Sequence, residues 1–246
     1  MNKNEKQTNL LWTGGWDSTF RLADLLIIKK QIVQPIYIID EDRASKDMEL
    51  KVMDEIREFF YKQFPGTKGL FLTTAIYYKK KIKENSEITK MYSNLVKKYH
   101  LGTQYDWLAR FAEQYNYKNL EIGIVKDGTI HKLLKENLIE KKDDIGSFYI
   151  LQEEPKNKDL RLFINFKFPI LYYTKTDMYK VAIKYNFTSI MEHTWFCHHP
   201  TKKGTPCGWC APCRIAKKQG MGRRVPFSIK GILKGAILEA RKKLKI

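Results

Sequence analysis

The stretch Leu10-Leu11-Trp12-Thr13-Gly14-Gly15-Trp16-Asp17-Ser18-Thr19-Phe20 constrains the fold more than any other part of the chain. Apolar residues lead into paired glycines, and a helical apolar period starts directly after them. That order reads as a first strand, a tight turn and a first helix. In an open α/β sheet the ligand crevice lies at the carboxyl ends of the strands, where such a turn feeds a helix N-terminus. Gly14 and Gly15 let the backbone approach phosphate oxygens with no Cβ in the way. The free amides of the first helical turn and the helix dipole then favour an anion. Thr13 and Ser18 add hydroxyls, and Asp17 adds a carboxylate that can orient a metal-bound or phosphate-bound water. The loop lacks the Gly-Lys-Ser/Thr ending of a Walker A sequence and is not Gly-x-Gly-x-x-Gly. Glycines used for turn geometry alone are the competing reading.

Downstream, apolar periodicity alternates between strand and helix. Ser18 to Lys30 predicts a helix, Ile32 to Asp40 a strand in which Pro35 argues against a central position, and Ser45 to Phe64 a long amphipathic helix stopped by Pro65-Gly66. A strand is expected from Gly69 through "GLFLTTA", helices over Glu87–Tyr99 and Gln104–Tyr115, and a strand over Asn119–Val125. Ile130 to Gln152 is mixed, with a charged break at Lys141–Asp144. A cap at Thr174 or Thr176 then opens a helix running through Tyr185. Strands alternating with helices predict an α/β fold, a parallel sheet with helices on both faces. The expected organisation is an α/β domain over 1–190, a cysteine module over 191–222 and a basic amphipathic helix over 223–246.

All four cysteines fall in "CHHPTKKGTPCGWCAPCR", as Cys197, Cys207, Cys210 and Cys213. A disulfide framework spreads its cysteines along the chain, and clustering points to metal. Four thiolates at this spacing suit a closed tetrahedral zinc site. Three alternatives use the same residues: a redox Cys-x-x-Cys pair, an iron–sulfur cluster, or a site in which His193, His198 or His199 replaces one sulfur.

The 246 residues carry 45 Lys and Arg against 27 Asp and Glu, a net charge of +18. From Arg214 to Ile246 there are eleven basic residues and one acid, Glu239. Such a field attracts polyanions or an acidic protein surface, although Lys as a default surface residue explains it equally well. The segment "FSIKGILKGAILEARKKLKI" has helical amphipathicity, with Ile229, Ile232, Leu233, Ala236, Ile237, Ala240 and Leu244 on one face. That face is expected to dock on the protein's own core or on a homodimer mate, leaving the basic face to partners. No apolar run is long enough to cross a bilayer, and the polar residues Met1 to Gln7 lack a signal-peptide core, so a cytoplasmic location is expected.

The glycine turn resembles the Ser-Gly-Gly-x-Asp-Ser signature of pyrophosphate-loop (PP-loop) ATPases, which cleave ATP between its α and β phosphates. Thr13 takes the place of the leading Ser and keeps the hydroxyl. The turn and the cysteine cluster together, in this order, resemble the 7-cyano-7-deazaguanine synthase (QueC-like) family. Other matches agree. Asp40 ends the second strand where the family carries an acid, and Glu49 follows on the next helix. "EIGIVKDG" places Gly123 and Asp127, and "FPILYYTKTDM" places Pro169, Thr174 or Thr176, Lys175 and Asp177. "HTWFCHHP" places Thr194 and Cys197. Two stretches depart: Glu41 to Lys46 stands in place of a Gly-Gln-Arg-His motif, and "LGTQYDWLARFA" lacks an Arg-Asn pair.

The resemblance implies a Rossmann-like, adenine nucleotide alpha-hydrolase-like sheet, with ATP, Mg²⁺ and Zn²⁺ as cofactors. It implies nucleotide contacts from Leu11, Trp12, Thr13, Gly14, Gly15, Asp17, Ser18, Thr19 and Asp40. Catalytic roles fall to Asp17, Ser18, Lys175 and Asp127, with Lys126 a further cation for the leaving pyrophosphate. The implied reaction is ATP-dependent activation of 7-carboxy-7-deazaguanine for attack by ammonia, a carbon–nitrogen ligase chemistry within queuosine biosynthesis. A variant would join the deazaguanine to an amine on a protein or another macromolecule, as implied by relatives recruited to antiviral defence. A tRNA-modifying enzyme sharing the loop, or a non-enzymatic binding module, would be a different class. Thiolation needs cysteines not locked in metal, and the intact loop argues against a mere binding module.

Overall fold

The computed structural model describes residues 7–126 and 128–227, and of the C-terminal segment Gly231, Leu233, Lys234, Ile237 and Ala240. Asp127, Ile229, Ile232, Ala236 and Leu244, all singled out from the sequence, lie outside the described residues. A seven-stranded sheet runs β3-β2-β1-β4-β7-β6-β5, with β1 Thr8–Leu11, β2 Val33–Ile39, β3 Ala75–Tyr78, β4 Leu120–Glu121, β5 Leu138–Asp143, β6 Gly146–Leu151 and β7 Phe166–Phe168. The first four strands and β7 are parallel. The segment that has mixed periodicity is a hairpin, β5–β6, added antiparallel to β7. Its turn is made by Asp143, whose Oδ1 accepts from the amides of Ile145 and Gly146, one residue beyond where the charged break places it.

Both faces of the sheet are covered, so strand residues alternate between two cores. Leu11, Ile36, Ile38 and Ile122 pack on one side with α3 (Ser86–Val96) and α4 (Gln104–Gln114). Leu10, Trp12, Val33 and Tyr37 pack on the other with α1 (Trp16–Ala23) and α2 (Lys46–Gln63). Two further helices, α6 (Lys175–Lys184) and α7 (Thr188–Glu192), close that second face, while the short α5 (Thr129–Leu134) joins the first.

Three expected elements end differently, each for a local reason. The first helix widens after Ala23 into a π turn, Asp24–Ile28, in which the Lys29 amide bonds Asp24 O. The strand expected from Gly69 forms only a single bridge at Phe71, and its ladder begins at Ala75. Pro35 explains this. It shares Val33's side of β2, the side toward Leu70–Leu72, and has no N–H to offer there. The carbonyls of Phe71 and Leu72 turn instead to the Arg57 guanidinium, at 3.1 and 3.0 Å, and Thr73 O takes the Gln34 amide. Pro35 nonetheless sits in an interior strand, paired with Leu10 of β1. The strand expected over Asn119–Val125 is cut short because the Ile124 amide turns back onto Ile122 O at 2.9 Å, a three-residue turn centred on Gly123.

A buried ionic knot ties α1 to the sheet. Arg21 reaches Glu121 through Nε at 2.7 Å and Nη2 at 2.9 Å, and also contacts Asp24. Glu121 is fully buried, and Lys167 of β7 lies 3.7 Å from it. Breaking such a pair from one side strands a charge in the core. Arg21→Met is therefore expected to lower stability by about 3–5 kcal/mol in urea unfolding, and Arg21→Met with Glu121→Met by clearly less. A single variant within ~1 kcal/mol of the parent chain contradicts this role.

Candidate functional site

Sheet order reverses between β1 and β4, because the chain leaves β1 toward β2 and returns on the other side at β4. Their carboxyl ends frame the crevice such a reversal creates. A cavity of about 230 Å³ opens there, lined by Leu11, Thr13, Gly15, Asp17, Ser18 and Asp40, with Gly123 at its edge.

The Thr13–Ser18 turn is held open by its surroundings. Gly14 has φ +67°, and a Cβ there would meet Met53 Cγ at 3.1 Å. Its carbonyl accepts from the Trp195 amide at 2.9 Å, which ties the turn to the segment leading into the cysteines. Gly15 caps α1 in extended geometry and, as a glycine, brings no side chain to bond the helix amides. Ser18 Oγ donates to Gly15 O at 3.3 Å and lies a loose 3.5 Å from the Thr13 amide. From β4, Gly123 presses so closely that a Cβ would fall 3.1 Å from Ser18 N and 3.2 Å from Asp17 Cβ.

Two carboxylates at the cavity are partnered by lysines. Asp17 forms an ion pair with Lys175, the first residue of α6. The helix start is fixed by a capping box: the Asp177 amide bonds Thr174 Oγ1 at 3.1 Å, and the Thr174 amide bonds Asp177 Oδ2 at 2.9 Å. The Thr174 hydroxyl, donating to Asp177 Oδ2 at 2.6 Å, and then the Thr174 amide hold the Asp177 carboxyl below the usual range, and of the two candidate caps the structure selects Thr174. Asp40 pairs with Lys79 Nζ at 2.9 Å. Lys79 belongs to a run of three lysines that reads as ordinary surface, so nothing in the sequence distinguished it.

Not every residue of the signature reaches the cavity with its side chain. Trp12 and Thr19 are fully buried, and the Trp12 indole N–H donates to Thr19 Oγ1 at 3.0 Å. Together they brace the corner between β1 and α1. Lys126 donates its amide to Tyr173 O and lies toward Asp177 of the α6 cap. Glu49 is buried behind two lining residues, bonded by Ser45 Oγ at 2.7 Å, by the Tyr37 hydroxyl at 2.9 Å and paired with Arg43. Burial and then the Glu49 charge push the Tyr37 phenol far above its usual range, so it stays a donor. Sequence reasoning missed Arg43, which lines the cavity and sets its Nε 3.1 Å from both Glu49 and Ser45. It also missed Gln104, Tyr105 and Trp107, which line the same cavity as the glycine turn. A second cavity of about 440 Å³ adjoins the first, sharing Gln104, Tyr105, Gly123 and Ile124, and is bounded by His100, Thr129 and His198. Burial, and then the Arg43 charge, hold the His198 imidazole below its usual range.

Cys197, Cys207, Cys210 and Cys213 are all buried, with their sulfurs within 4.8 Å of one another. Individual separations are 3.4 Å for Cys210–Cys213 and 3.9 Å for both Cys207–Cys213 and Cys210–Cys197. Four sulfurs at about 2.3 Å from a tetrahedral zinc sit roughly 3.8 Å apart. Backbone amides point at the sulfurs as they do where thiolates carry charge: Cys207 N at 3.1 Å and His199 N at 3.4 Å from Cys197 Sγ. The donor set can hold a metal ion. The three candidate histidines are engaged elsewhere: His199 stacks on Trp209, His193 pairs with Glu55 at 2.9 Å, and His198 faces the second cavity.

The arrangement can do one thing well: hold a polyanion against free amides with a lysine beside it, next to a chamber for a second reactant. Gly123→Ala tests the packing that shapes it. The added Cβ displaces the start of α1, and a loss of at least about tenfold in ATP affinity by calorimetry is expected while the chain stays folded. Affinity equal to the parent chain contradicts the close packing.

Comparison with known families gives one result. The model for a family described as queuosine biosynthesis protein QueC matches residues 9–222. A search of the curated proteins finds no match. The matched span takes in the glycine turn, both carboxylate–lysine pairs, the second cavity and all four cysteines, and so the chain belongs to the QueC family.

Proposed function

We propose that the protein is an ATP-dependent ligase that activates 7-carboxy-7-deazaguanine as an acyl-adenylate and passes it to ammonia. The single observation that carries this reading is the uncapped α1 N-terminus at Gly15, with Asp17 and Lys175 beside it, opening onto a second chamber. Thr13, Gly14, Gly15 and Ser18 bind the triphosphate through main-chain amides and hydroxyls. Leu11 supports the nucleotide from below, and Asp40 lies within reach of its ribose. The acid occupies the chamber beyond Gln104 and Tyr105, so that a carboxylate oxygen attacks the α phosphorus and pyrophosphate leaves. Lys175 exchanges Asp17 for the leaving pyrophosphate and neutralises its charge. Ammonia then attacks the acyl carbon, loses a proton and expels AMP, giving the amide. A second ATP adenylates the amide oxygen with release of pyrophosphate, and loss of both amide protons and of AMP gives the nitrile.

Magnesium binds in such sites through one or two carboxylates plus phosphate oxygens, and would neutralise the triphosphate when bound. Asp17, which lines the cavity, is the carboxylate we assign to hold that ion, and a role for Asp127 rests on the family pattern alone. Zinc suits the Cys197, Cys207, Cys210 and Cys213 site and would act there as a structural cross-link. It would brace the segment whose Trp195 amide bonds Gly14 O. A second reading is favoured by the tail. Leu233 and Ile237 are helical and more than half exposed, so at those positions the apolar stripe is not docked on the protein's own core. That leaves a basic, partly apolar surface for a protein or nucleic-acid acceptor, or for a second copy of the chain.

Three measurements test the reading. Purified protein is expected to release pyrophosphate from ATP only with 7-carboxy-7-deazaguanine present, and Lys175→Ala to slow that release by about 10²-fold or more. Release without the acid, or only with tRNA, contradicts the assignment. Mass spectrometry of the product separates nitrile, amide and macromolecular conjugate. Elemental analysis is expected to find one zinc per chain, lost with unfolding of the C-terminal module in Cys210→Ser. Iron, or well under one zinc, contradicts the structural-zinc assignment.

A further inference from the structure

We infer that Arg43 is the clamp that receives the carboxylate of the acid substrate. The inference rests on the ligase reading above and names the group that selects an acid over its neutral analogues.

Arg43 is the one cation lining the first cavity among the described residues. The lysines near that cavity, Lys79 and Lys175, are each committed to a carboxylate, Asp40 and Asp17. Arg43 differs in how it is held. Only its Nε is used, 3.1 Å from Ser45 Oγ and 3.1 Å from Glu49 Oε1. Glu49 is 4% exposed and is itself fixed by the Tyr37 hydroxyl and by Ser45. The guanidinium is thus anchored through its inner nitrogen by a buried network, and its two terminal nitrogens make no bond among the described residues. A fork held in this way, always charged and with parallel donors left over, matches the two oxygens of a carboxylate.

Position selects which oxyanion. The triphosphate is provided for by the α1 N-terminus and Lys175, at the end of β1. Arg43 instead follows β2 and lines the first cavity, which passes into the second through the residues that the two share, Gln104, Tyr105, Gly123 and Ile124. The acid must present its carboxylate at that junction to reach the α phosphorus. A nucleotide phosphate drawn to Arg43 is the competing source of the same chemistry.

Calorimetry on the full chain separates them, with 7-carboxy-7-deazaguanine, its amide and ATP as probes. The parent chain is expected to bind the acid at least tenfold tighter than the amide. Arg43→Ala is expected to lose that preference, weakening acid binding about 10- to 100-fold with ATP affinity within twofold of the parent. Arg43→Lys keeps the charge without the fork and is expected to fall between. Glu49→Gln combined with Arg43→Ala removes the carboxylate otherwise stranded, and guards against loss through misfolding. Added guanidinium is expected to restore acid binding in Arg43→Ala, which a merely structural role would not allow. Three results overturn the inference: no preference for acid over amide in the parent chain, preference retained in Arg43→Ala, or loss of ATP affinity in place of acid affinity. A parent chain that binds the acid through Arg43 but releases no pyrophosphate refutes the ligase reading and leaves the clamp standing.

Discussion

The bond from the Trp195 amide to Gly14 O is the constraint on which the rest of the site depends. A glycine turn at positive φ is free to collapse unless something holds its carbonyl, and free amides at a helix start are easily satisfied by a neighbouring side chain. Here the carbonyl is taken by a segment far along the chain, and Gly15 at the cap has no side chain to bond the amides of the first turn of α1. Gly15, Trp16, Asp17 and Ser18 all line the crevice. Gly123 closes the turn from the β4 side without a side chain of its own to intrude. The anion site proposed for this turn would need no lysine inside the loop, in keeping with a sequence that lacks a Walker-type ending.

That bond also explains why a cysteine module sits on an α/β domain. Trp195 is two residues from Cys197, and its indole donates to Cys197 O at 2.7 Å. Arg224, beyond the last cysteine, returns to Thr194 and lies over the rings of Trp16 and Phe196, at 5.7 and 5.2 Å from their centroids. The cluster buries only Ala216 and Val225 beside its four sulfurs, so a zinc ion bound as proposed would cross-link it and brace the turn through Trp195. Lysine recruitment follows the same pattern, with Lys175 and Lys79 delivered from elements outside the turn to carboxylates at its rim.

Much of this was legible in the sequence because it is local. The turn, the first strand and helix, the long α2 helix and the cysteine spacing are each written in a few adjacent residues, and Thr174 announces its helix through the Asp three positions on. What was not legible depends on pairing across the chain. Pro35 looked like an edge residue, yet it lies inside the sheet because Arg57 and Gln34 satisfy the carbonyls it leaves idle. The β5–β6 hairpin was obscured by charged residues on an exposed strand. Arg43 and Glu49 are six residues apart and unremarkable by type, and only the fold turns one into a buried anchor for the other. Lys79 is hidden in a lysine-rich composition, where no single lysine stands out. Trp12 and Thr19 carried the signature's position but serve the corner between β1 and α1.

The central claim is that main-chain amides of the Gly15–Ser18 turn hold the anionic end of ATP. Amide hydrogen exchange with and without saturating ATP measures this at the atoms concerned. The account predicts that exchange at Gly15, Trp16 and Asp17 slows by at least about tenfold on binding, more than at amides of the second cavity. Protection confined to other parts of the sheet, with these three amides unchanged or already protected in the free protein, would contradict it.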